Sequence, residues 1–96
     1  MVVNMKIERK YNEFEYVLEF VDMYDEDVCG FDLELVVLDK DYFIEIQYDT
    51  KEKMIASIFI ENQNELSKEE MDLGYMYTRM LNEEFKKVCE FMLSMF

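Results

Sequence analysis

The sequence predicts an α+β fold: an antiparallel β-meander of about four strands, packed on one face by a long C-terminal helix. Three observations predict it. Apolar and acidic side chains alternate with period two through most of the first sixty residues, short polar turn signals separate the alternating runs, and from Ser67 onward the apolar spacing changes to three and four. Period two puts alternate side chains on opposite faces of a sheet, and a period near 3.6 draws one stripe down a helix. Ninety-six residues, 51 % of them hydrophobic, with no proline and only Gly30 and Gly74, make a single domain over 1–96. The sheet is expected over about 11–61 and the helix over about 67–94.

Met1 to Lys10 holds Val2, Val3, Met5 and Ile7 and reads as a short edge strand or a frayed tail, with the start open between Met1 and Met5. Glu13 to Val21 is the clearest strand, with Phe14, Tyr16, Leu18 and Phe20 opposite Glu13, Glu15, Val17 and Glu19. Asp22 to Gly30 reads as a loop. Its Asp25, Glu26 and Asp27 raise the question of calcium, but the ligand spacing and glycine position of an EF-hand are missing. Phe31 to Leu38 alternates again. Asp39-Lys40-Asp41 reads as a hairpin turn, Tyr42 to Tyr48 as the next strand, Asp49 to Glu52 as a turn, and Lys53 to Glu61 as the last strand.

Ser67-Lys68-Glu69-Glu70 is a capping box, and Met71, Tyr75, Thr78, Leu81, Phe85, Val88, Met92 and Met95 form the stripe that follows. A helix from Lys68 to Ser94 would run ~40 Å at ~1.5 Å per residue. An eight-residue strand spans only ~27 Å. The helix therefore has to overhang, kink, or break near Gly74 or around Asn82. An overhang with Met92, Met95 and Phe96 would make a homodimer contact.

Charge is concentrated. Residues 11–45 hold twelve acids against one base, leaving −11 of the chain's −13. Such a protein repels nucleic acid and anionic membranes and favours basic protein partners. On the predicted sheet the acids gather on the face away from the helix, interrupted by Val17, Val36, Phe43 and Phe59. That mixture of carboxylates and exposed apolar groups reads as a binding surface. The candidate contact residues are Glu13, Glu15, Glu19, Asp25, Glu26, Asp27, Asp32 and Glu34.

The chain has no histidine, which removes the usual general base and the commonest zinc ligand. It has no glycine-rich phosphate loop, and Cys29 and Cys89 lack a histidine to activate them. The expectation is a non-enzymatic protein with no cofactor and no metal site. The methionines read as adaptable apolar fillers. The two cysteines read as free thiols in a reducing compartment. MVVNMKIE lacks the apolar region of a signal peptide, and no apolar run reaches the ~20 residues that span a bilayer, so the expected location is the cytoplasm.

In size, acidity, lack of histidine and αβ pattern, the chain resembles small inhibitors of phages and other mobile elements, including anti-CRISPR proteins and DNA mimics. The resemblance implies a stoichiometric inhibitor whose carboxylates stand where phosphates would lie, in a basic groove of a nuclease or another nucleic-acid-binding enzyme. The alternative is a dimeric adaptor, chaperone or toxin-immunity protein that binds through apolar surface.

Overall fold

A computed structural model describes residues 5–95. The chain is α+β. Five antiparallel strands run in sequence order across one open sheet: β1 (Lys6–Lys10), β2 (Phe14–Asp25), β3 (Val28–Val37), β4 (Lys40–Asp49) and β5 (Met54–Ile60). A 3-10 turn (Gln63–Glu65) leads into α1 (Lys68–Met80) and α2 (Asn82–Ser94). The expected meander of about four strands thus gains a fifth at its start: the first segment, open between an edge strand and a tail, pairs as β1, with Ile7 opposite Leu18. Val2, Val3 and Phe96, which the sequence reading placed in the first segment and in the overhang, lie outside the described residues.

The period-two pattern sorts the faces as expected. Tyr16, Leu18, Phe20, Phe31, Leu33, Leu35, Tyr42, Ile44, Ile46 and Tyr48 are buried, and Leu81, Phe85, Val88 and Met92 close over them from the helices. Phe31 forms the centre of this contact, its ring 5.1 Å from that of Phe85 and 5.9 Å from that of Phe20.

Three expectations are corrected. Asp22–Gly30 is not a loop: β2 continues to Asp25, β3 starts at Val28, and only Glu26 and Asp27 turn the chain. The register steps between Phe20 and Asp22 and again between Met23 and Asp25. An inserted residue shifts the parity, so a strand with bulges reads as one that has ended. The next turn is Leu38-Asp39, one residue before the expected site. Both residues have positive φ (49° and 66°), as a two-residue type I′ turn requires, and Lys40 already pairs with Val37. Finally, the long helix is two helices. Each has 13 residues, ~20 Å at ~1.5 Å per residue, so each fits within the length of the sheet. The break falls at Leu81 (φ −90°, ψ 9°), next to Asn82, one of the two places where a break was expected, and Met92, placed on the overhang alternative, is fully buried.

The capping box forms as read. Glu70 N donates to Ser67 Oγ at 3.2 Å, and Ser67 N donates to Glu70 Oε1 at 2.7 Å. Gly74, a possible breaking point by sequence, instead lets α1 approach the sheet. A Cβ there would lie 2.8 Å from the Tyr42 ring, which is buried and anchored by its hydroxyl donating to Glu70 O at 2.7 Å. Tyr48 is the opposite case: its hydroxyl is buried and has no hydrogen-bond partner among the described residues.

Two substitutions follow from these contacts. Overpacking costs about 1–3 kcal/mol. That exceeds the roughly 1 kcal/mol by which alanine improves on glycine in a helix, so Gly74→Ala should destabilise. Chemical denaturation checks the sign, and the loss should shrink in a Tyr42→Val background. Tyr48→Phe keeps the ring and removes an orphaned hydroxyl, so its stability should be unchanged or up to about 1 kcal/mol higher in the same assay.

Candidate acidic interface on the open sheet face

The face away from the helices is built in rows, because residues in register across antiparallel strands point the same way. One row runs Lys6, Glu19, Asp32, Glu45, Phe59. A second runs Glu8, Val17, Glu34, Phe43, and a third Lys10, Glu15, Val36, Asp41. Glu61 N donates to Phe43 O at 2.7 Å, which brings Glu61 to the same face just past the end of β5. The lysines stand only on the edge strand β1, and Lys10 lies 3.9 Å from Glu15 in an exposed pair. Glu19, Asp32, Glu34 and Glu45 have no such partner among the described residues.

At the β3–β5 end of the face, carboxylate oxygens of Asp32, Glu45 and Glu61 lie within 4.8 Å of one another, and all three residues are exposed. Asp32 titrates above the usual carboxylate range, first because it is partly shielded from water and then because Glu45, Glu19 and Glu34 surround it. Glu61 is raised chiefly by a hydrogen bond shared with Glu45, followed by desolvation and by the charges of Glu45 and Asp32. Bound through one oxygen each, three carboxylates supply half or fewer of the roughly 6–8 oxygens that calcium takes. Phe43 and Phe59 remain about half exposed beside them, at 42 % and 51 %. At the far end of the face the Tyr24 ring lies across Gly30, where a Cβ would come within 2.6 Å of it.

The residues predicted from sequence fall in three places. Glu15, Glu19, Asp32 and Glu34 share the open face. Asp25, Glu26 and Asp27 occupy the β2–β3 tip, where Asp25 Oδ1 accepts from Asp27 N at 2.7 Å, an intra-turn bond rather than a convergent metal cage. Glu13 sits in the bend before β2, beside the helix layer, and accepts from the Tyr77 hydroxyl at 3.4 Å. The eight therefore do not form one surface. Glu45 and Glu61 were missing from the candidate set. Alternation alone put both on this face, but their closeness to Asp32 needs the β3–β4–β5 register.

The two thiols meet on the other side of the sheet. Cys29 of β3 and Cys89 of α2 are both free and buried; the Cys29 thiol donates to Met23 Sδ at 3.1 Å, and the closeness of the two thiols lowers the Cys29 pKa and raises that of Cys89. No helix among the described residues is long and apolar enough to cross a membrane. Compared with known proteins, the chain matches no family model, no curated protein and no solved structure.

The acidic face has a pH signature. Asp32 and Glu61 titrate higher in the folded chain than in the unfolded one, where carboxylates titrate near 4. The folded state then binds protons more tightly, so stability rises as pH falls from neutral through the raised values toward about 4. Glu70 works the other way: held low mainly by the Ser67 amide, it loses its contribution as pH falls through its depressed folded value. Thermal melts should therefore show Tm rising on mild acidification. A Glu45→Gln/Glu61→Gln variant should melt higher at neutral pH and show a flatter profile.

Proposed function

We propose that this protein is a non-enzymatic binding protein that lays its open acidic sheet face on a basic, nucleic-acid-binding surface of a target protein and so blocks that surface. The observation that carries the reading is the unbroken row Glu19, Asp32, Glu45 across three neighbouring strands, joined by Glu34 and Glu61. Adjacent strands are ~4.8 Å apart. One carboxylate per strand thus gives a line of charge of the same order as a nucleic-acid strand, with one phosphate per ~3.4 Å of rise. Exposed Phe43 and Phe59 supply apolar area beside the charges, the combination that gives an interface both steering and burial. An inhibitor of the anti-CRISPR or DNA-mimic kind would use such a face.

The second reading is a dimeric adaptor, chaperone or toxin-immunity protein that binds through apolar area. It is favoured by exposed Met76 and Met80 on α1 and by Phe91 and Leu93 on α2.

Affinity capture from a lysate, with the chain as bait, separates the two. Under the first reading the captured proteins are nucleic-acid binders. They are displaced by added DNA, fall away between low and moderate salt because exposed charges are screened over about 8–10 Å, and are lost with Asp32→Lys/Glu34→Lys/Glu45→Lys. Capture that ignores DNA, salt and charge reversal overturns this reading and supports the apolar one.

A further inference from the structure

The sheet has two open edges, and they differ. β1 (KIERK) carries four charges in five residues, whereas β5 (MIASIFI) carries none in seven. Charged side chains guard an edge against a further strand, and an uncharged edge admits one. The backbone of β5 is also oriented to accept a strand. Glu61 N donates inward to Phe43 O, so by alternation Phe59 and Ser57 bond toward β4 while Ile58 and Ile60 turn their N–H and C=O groups to the open side. Among the described residues the edge is closed at its start, where Ile55 N donates to Asn82 Oδ1 at 3.2 Å.

The two sides of this edge have different chemistry. On the helix side lies a groove of about 430 Å³, lined by Ile55 and Ile58 and by Tyr75, Arg79 and Asn82. On the outer side Phe59 stands in the row that continues to Glu45 and Asp32, with Glu61 next to them. The geometry points to an extended segment of the partner that adds to β5 as a sixth strand, with Lys or Arg at alternate positions over the acidic face and apolar residues between them over the groove. This rests on the acidic-face reading above and names the kind of segment that face receives.

Charge complementarity selects this occupant. A cation opposite Phe59 gains its ring face and reaches Glu45 and Glu61. Arg79, held 5.7 Å over the Tyr75 ring, repels a base on the groove side and so fixes which alternate positions are basic. The β5 strand of a second copy fits worse, since its outer residues Ser57, Phe59 and Glu61 bring another carboxylate to the acidic cluster and no cation. Strand addition draws affinity from the backbone and specificity from alternate side chains.

The test titrates synthetic nine-residue peptides into the full chain at about 50 mM salt and follows amide hydrogen exchange by NMR. One peptide alternates Lys with Ile, a second is the same sequence N-methylated on the amides that would face β5, and a third gathers its lysines in one block. The alternating peptide should slow exchange at Ile58 and Ile60 at least tenfold and bind at least tenfold more tightly than the other two. Binding should be lost with Glu45→Lys/Glu61→Lys. Equal binding of the N-methylated peptide overturns strand addition while leaving the acidic face intact. Undiminished binding to the charge-reversed chain overturns the basic chemistry, and failure of all three peptides overturns both readings. Concentration-dependent protection of Ile58 and Ile60 before any peptide is added means that a second copy fills the edge, and it also overturns the proposal.

Discussion

The structure depends on the register that pairs β2, β3 and β4. In register, Leu18, Leu33 and Ile44 point together into the helix layer, and Glu19, Asp32 and Glu45 point together to water. A slip of one residue in any of these strands would exchange the two sets. Its cost would come from both sides, as apolar area returned to water and as carboxylates pressed against Phe85 and Met92. Burying an ionised carboxylate without a partner is among the most expensive changes a core can suffer. The acids therefore specify the pairing by excluding the wrong one, and the constraint that fixes the fold also creates the charged face.

That face works against the stability it helps to specify. Like charges directly opposite each other weaken a sheet, and here Glu19, Asp32 and Glu45 stand opposite one another on three successive strands. The raised titration of Asp32 and Glu61 is the local sign of this repulsion. A domain of about this size has little stability in reserve. Solubility alone asks only for polar groups of mixed sign, as Lys6 and Lys10 provide on β1. Keeping the central rows free of lysine costs stability without improving burial, and this supports the proposal that the face meets positive charge from outside.

What the sequence made legible follows from the range of each signal. Alternation is local, so the faces of β2 up to Phe20, of β3 from Phe31, of β4, and of β5 from Ser57 onward, and the capping box at Ser67, could be read residue by residue; at the start of β5 a register step puts Ile55, expected on the open face, against the core instead of Met54. The end of β2 could not, because its two register steps reverse the parity that marks a strand. The helix stripe from Met71 to Met92 was legible, and helix length against strand length pointed to an overhang, a kink or a break near Gly74 or around Asn82; the choice of Leu81 was not legible, since the three- and four-residue spacing passes through it undisturbed. Gly74 misled in the ordinary way: in isolation it weakens a helix, and only the Tyr42 ring across the gap gives it a reason to be there. The cluster of Asp32, Glu45 and Glu61 lay beyond any local signal, because it joins three strands whose register the sequence does not print.

The helix break does more than shorten α1. A continuous helix would carry residue 82 onward along the same axis, turning its side chain with the helical step. With Leu81 out of helical geometry, α2 starts afresh and Asn82 reaches the start of β5, accepting from Ile55 N and donating to Lys53 O at 3.4 Å. This junction ties the start of the last strand to the helix layer, beside the turn in which Asp49 Oδ1 accepts from Lys51 N and Glu52 N. The rest of β5, from Ser57 to Ile60, is held by β4 on one side and by α1 beneath, and its remaining side is open. The groove is thus set beside the uncharged edge by one interruption in a helix, while the sheet register places the acidic row above it, and a change at Leu81 or Asn82 acts first on the groove and the start of the edge.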